Sequence, residues 1–180
     1  LAQPIKRTTI FLGQYFGVSF SLALSLILGL GIPFTVYGLW ESSEVINFGL
    51  LLASGTFLTF IFVAISVNIA LLHDNRIKGF GYAILIWLSL AVIYDGLFLI
   101  SLMVFEDYPL DKFSLVATML NPIDLSRILI LLKLDISALL GYTGAVFQKF
   151  FGTNMGILTS FLILLTWSTV PVLLIKRIAN

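Results

Sequence analysis

Charge is spread so unevenly along this chain that the gaps between charged residues decide what it can fold into. No Asp, Glu, Lys or Arg lies between Arg7 and Glu41, between Glu44 and Asp74, or between Lys149 and Lys176, and only Asp95 interrupts the run from Lys78 to Glu106. Each gap holds the ~20 apolar residues that a helix needs to cross the hydrocarbon core of a bilayer. Lipid offers no partner to a backbone N–H or C=O, so apolar runs of that length satisfy their own hydrogen bonds as helices. The composition agrees: 59% of the 180 residues are hydrophobic and 11% charged, where a soluble domain carries about 25% charged residues. The expected fold is an all-α integral membrane protein, a polytopic helical bundle with four transmembrane spans at about 14–39, 46–72, 80–104 and 154–174.

With those spans, Lys6, Arg7, Arg76, Lys78, Lys176 and Arg177 fall on one side, while the turn between the first two spans carries only Glu41 and Glu44. The positive-inside rule puts the 73–79 loop and both ends of the chain in the cytoplasm, and the long segment 105–153 outside. Trp40 suits an interfacial anchor at the outer end of the first span. The chain starts at Leu1 with no basic leader, and reads as a piece that begins inside a longer protein.

Two features inside the spans carry candidate roles. Gly13, Gly17, Ser21, Ser25 and Gly29 recur every fourth residue and form one small-residue stripe. Such a stripe lets helix backbones approach closely, against another helix of the chain or of a second copy; chance is the other reading, since Gly and Ser are common in membrane helices. Gly29, Gly31 and Pro33 suggest a bend toward the outer end. Asp95 is the one ionisable residue at membrane depth. It serves either a polar contact or pathway inside the bundle, or as a neutral acid hydrogen-bonded for packing.

The segment "NPIDLSRILILLKL", residues 121–134, is apolar but too charged to span. Asn121 is a good N-cap, Pro122 suits the first helical position, and Asp124 stands where negative charge meets a helix N-terminus favourably. Asp124 and Arg127 can pair across one turn. Leu125, Ile128, Leu129, Leu132, Ile136 and Leu139 repeat at helical spacing, which predicts an amphipathic helix lying at the outer membrane surface. A second short helix is expected over 143–151, with Phe147, Phe150 and Phe151 on its apolar side and Gly152 as its cap. This segment either shields the bundle or presents an apolar ledge to an external partner.

Catalytic and cofactor chemistry leaves no trace. There is no Cys, no phosphate-cradling glycine loop, no His/Glu metal motif and no nucleophile elbow. His73 is the sole histidine, a loop residue beside Asp74, and Met103, Met119 and Met155 are scattered fillers rather than a thioether copper site. No cofactor is expected. A net charge of +1 argues against nucleic acid as a partner.

The opening "LAQPIKRTTIFLGQYFG", with Pro4, Arg7 and Gly13, resembles the stretch that follows the coupling helix and opens the third span in ABC-2-type transporter permeases, although Gln14 stands where a Lys is common. Trp87 followed by Asp95, then Asn121, Pro122, Asp124 and Arg127 as N-P-x-D-x-x-R, resembles more closely the permease family of the nitrous oxide reductase maturation transporter. The resemblance implies the last four of six spans and a homodimer of permease copies joined to a separate ATP-binding subunit. It also implies a periplasmic β-helical accessory protein and a role in assembling the copper–sulfide centre of the reductase. On that footing Pro4, Lys6, Arg7, Asp74, Arg76 and Lys78 are candidate contacts to the ATPase, although a merely solvated basic loop would look the same. Asn121, Pro122, Asp124, Arg127, Leu129 and Phe147 become a candidate docking ledge. Two other readings stay open: a generic ABC-2-type export permease for a lipid-like or drug-like substrate, and a stand-alone secondary transporter, whose usual midplane polar groups are scarce here.

Overall fold

The computed structural model describes residues 5–38, 42–133 and 143–179, and all the regular structure among them is helical. In order these are α1 (Arg7–Gly38), α2 (Ser42–Leu72), α3 (Arg76–Leu88), a π turn (Ser89–Ile93), α4 (Tyr94–Val104), α5 (Asp111–Leu120), α6 (Pro122–Lys133), α7 (Thr143–Phe151) and α8 (Asn154–Ala179). Four helices among the described residues are long and apolar enough to cross a membrane: α1, α2, the composite α3–π–α4, and α8. They coincide with the charge gaps. Pro4, Trp40, Asp135, Ile136 and Leu139 lie outside the described residues.

The bundle is centred on α2, which packs most extensively against α1 and α8. Tyr15 of α1, Val63, Ala64 and Val67 of α2 and Ile175 of α8 form one core cluster. It brings the start of α1 to the ends of α2 and α8, so Lys6, Arg7, Arg76, Lys78, Lys176 and Arg177 gather toward one end of the bundle, as their spacing predicts. Asn68 on α2 donates to its own Ala64 carbonyl at 2.9 Å and to that of Pro171 on α8 at 2.8 Å, a polar tie between two apolar helices.

The small-residue stripe behaves differently from one of its two expectations. Gly13, Gly17, Ser21, Ser25 and Gly29 are exposed, and a Cβ added at Gly13, Gly17 or Gly29 would meet nothing within 4 Å. The buried face of α1 instead carries Tyr15, Ser19 and Ala23, and Tyr15 packs against Val63, Ala64 and Val67 of α2. These sit two residues out of phase with the stripe, hence about 200° around the helix. Close approach comes from Gly55, where an added Cβ would stand 3.2 Å from Leu26 Cδ1. Small residues do make the contact, but on the opposite face.

Candidate functional site

The described residues between α4 and α8 do not lie flat beside the bundle. They enter it. Phe98 stacks near Phe113 (centroids 6.4 Å apart), the Tyr94 hydroxyl donates to the Ala117 carbonyl at 2.6 Å, and Asn121 Nδ2 donates to the Leu90 carbonyl at 2.7 Å. Each step of four residues back along α4 is matched by four forward along α5, so α5 runs antiparallel beside it. It ends level with Leu90, halfway along the composite helix Arg76–Val104. There the axis turns by 115° into α6.

A helix break inside a bundle exposes the last carbonyls of one helix and the first N–H groups of the next, and each must find a partner. At the end of α5, Ala117's carbonyl takes the Tyr94 hydroxyl, Thr118's takes the Asn121 N–H at 3.3 Å, and Met119's takes Trp167 Nε1 at 3.4 Å. At the start of α6, Asn121 Oδ1 accepts the Ile123 N–H at 3.1 Å, while Pro122 has no N–H to satisfy. Asn121 and Pro122 thus play the capping roles their order in the sequence predicts, at half-depth rather than at a surface.

The charged residues of both segments meet here. Arg127 Nη1 and Nη2 hold the two oxygens of Asp95 at 3.0 and 2.9 Å, a bidentate pair across 32 residues of sequence. The same Nη2 lies 3.0 Å from Asp124 Oδ1, and Asp124 Oδ2 accepts from Asn121 Nδ2 at 2.9 Å. Asp95, Asn121, Asp124 and Arg127 are one clasp joining α4 to α6. Of the two readings of Asp95, the polar contact inside the bundle matches this geometry: a planar guanidinium fork paired with a planar carboxylate. The Asp124 side chain is 6% exposed, that of Asp95 26% and that of Arg127 45%, so the clasp opens on the Arg127 side.

The geometry corrects the surface-helix expectation for α6. Leu125, Ile128 and Leu129 are buried with Ile61 of α2, Phe147 and Phe151 of α7 and Leu164 of α8 in a single core. Leu129 and Phe147 are 3% and 1% exposed, so neither side chain stands on an outer ledge. Helix α6 is one-sided, as the spacing of Leu125, Ile128, Leu129 and Leu132 predicts, but its apolar side faces α2, α7 and α8 rather than lipid headgroups. Helix α7 matches its expected bounds, and the Gly152 N–H closes it onto the Gln148 carbonyl at 3.1 Å.

Other flagged residues stay apart from the clasp. Lys6, Arg7, Asp74, Arg76 and Lys78 lie toward the opposite end of the composite helix from α5, with Arg7 over the Phe11 ring at 5.6 Å. The His73 ring lies tilted against Tyr82, centroids 4.4 Å apart, and among the described residues no three His, Cys, Asp or Glu side chains form a metal-binding group. Sequence reasoning missed α5, Tyr94, Trp167 and the π turn. The spacing of buried Ser114, Ala117 and Thr118 was the available signal for α5. No protein-family model, curated protein or solved structure matches the chain.

Proposed function

We propose that this chain is the membrane-spanning, non-catalytic permease subunit of an ABC transporter that supports maturation of the copper–sulfide centre of nitrous oxide reductase, in the inner membrane of a bacterium. The observation that carries the reading is the Asp95–Arg127 pair, which unites the two separate motifs behind the resemblance, Trp87…Asp95 and N-P-x-D-x-x-R. In this reading the basic end, with Arg7, Arg76 and Lys78, faces the cytoplasm and a separate ATP-binding subunit. A second permease copy packs on the exposed Gly13–Gly29 stripe.

The periplasmic β-helical partner then meets the turn between α4 and α5, where Phe105 and Tyr108 are exposed, rather than Leu129 and Phe147. Because the clasp ties α4 to α6, movement driven at the ATPase reaches that turn through a connected element. Co-purification from native membranes tests this. The reading requires an ATPase and the β-helical protein in the eluate, and loss of the reductase copper centre when the permease is deleted. A chain that purifies alone, with reductase maturation intact in the deletion, would overturn it.

One observation favours a generic ABC-2-type export permease as the second reading. A groove of about 320 Å³ runs between α1 and α2, lined by Phe11, Gln14, Val18, Leu22, Val63 and Val67. Its apolar walls suit an acyl chain, and export of a lipid-like substrate without dependence on any periplasmic partner would select this alternative.

A further inference from the structure

We propose that the π turn Ser89–Ile93 is a hinge set by Asn121. The second half of the composite helix then keeps its contacts with α5 and α6 only while the turn is open, whereas the first half stays on α2 in either register. This stands apart from the cargo and partners of the proposed function. The two halves have separate anchorages. On the first half, the Tyr82 ring lies tilted against His73, and Gly79 lies against Ile69, 3.9 Å from an added Cβ. On the second half, Tyr94, Asp95 and Phe98 are all held by α5 or α6. The π turn is the junction, and none of its own five residues is buried.

A π turn holds one residue more than the α turn it replaces, and such turns arise where a helix must shift register locally. Its wider ladder runs from the Tyr94 N–H to the Ser89 carbonyl, and the Leu90 carbonyl accepts from the Asn121 side chain at 2.7 Å. Closing the turn to α geometry would rotate everything beyond it by about 100° and move it by ~1.5 Å relative to α3. That rotation carries Asp95 away from Arg127 and Phe98 away from Phe113. The clasp and the open turn therefore stand or fall together, and a shift of the hairpin becomes a discrete change of helix register rather than a smooth bend.

The absence of Cys allows paired cysteine reporters with no background. F98C/F113C reads the second half, and H73C/Y82C reads the first, each treated with a short thiol cross-linker in membranes. Asn121→Ser keeps an oxygen to cap α6 but is too short to reach Leu90. It is expected to lower the 98–113 yield about threefold or more while leaving the 73–82 yield unchanged. Deleting Val92 shortens the π turn to α length and leaves Tyr94–Val104 in place, so there Asn121→Ser should no longer matter. An equal fall with and without Val92, no fall at all, or a fall in both pairs together would overturn the hinge.

Discussion

Replacing Arg127 with Gln removes the one cation from a site that holds two carboxylates, and the structure sets the size of the effect. Arg127 makes two hydrogen bonds to Asp95 and one contact to Asp124, all at 2.9–3.0 Å. A solvent-exposed pair is worth about 0.2–1 kcal/mol. Stripping one partner from a fully buried pair costs about 3–5 kcal/mol. The clasp lies between these limits, because Asp124 is nearly enclosed while almost half of the Arg127 side chain is open. Asp124 also keeps its bond from Asn121. Arg127→Gln is therefore expected to destabilise the fold by about 2 kcal/mol, between those bounds. In a cycle with Asp95→Asn the coupling energy should be ~1.4 kcal/mol, about tenfold in the unfolding equilibrium. Reversible unfolding in mixed micelles reads this through Trp167, whose indole N–H bonds the Met119 carbonyl at the break. Swapping the charges (Asp95→Arg with Arg127→Asp) should not restore stability, since the swap sets a new carboxylate beside Asp124. A coupling below about 0.3 kcal/mol, or full rescue by the swap, would refute the assignment of the clasp as one charge-balanced unit.

Other substitutions probe the same architecture. Leu129→Asp and Phe147→Asp place a carboxylate in the core between α2, α6, α7 and α8; each should cost about 3 kcal/mol or more and reduce the folded yield in detergent, where a ledge residue would leave stability unchanged. Gly156→Ala should destabilise by about 2 kcal/mol or more in the same unfolding assay, because its Cβ would collide with the Phe150 carbonyl. Gly17→Ala, which meets nothing within 4 Å, should leave monomer stability within about 0.5 kcal/mol, while lowering self-association in a cross-linking assay if a second copy packs on that stripe.

The four long helices were legible because charge gaps set both their number and their ends. Element order near α6 was legible too, through Asn121 as cap and Pro122 at the first position. Depth was not. The repeat of Leu125, Ile128, Leu129 and Leu132 shows that a helix has one apolar face, but the same pattern fits a headgroup surface and a helix wedged between α2 and α8. Helix α5 escaped because its ten residues mix Ser, Thr, Lys and Asp with apolar positions, and its buried face, Ser114, Ala117 and Thr118, is small and partly polar. Asp95 and Arg127 were each singled out, yet 32 residues separate them, and no periodicity links positions so far apart. The π turn left no mark in the sequence, since its residues, Ser-Leu-Ala-Val-Ile, read as ordinary span.

Helix α5 descends beside α4 to the middle of the composite helix before the chain turns into α6. Single spin labels at Tyr108, Phe113, Val116 and Leu120, all exposed side chains, report depth in bilayers through their relative accessibility to oxygen and to a water-soluble nickel reagent. The antiparallel register requires oxygen accessibility to rise steadily from Tyr108 to Leu120, with the last label in the hydrocarbon. A flat profile at headgroup depth across all four positions would contradict it.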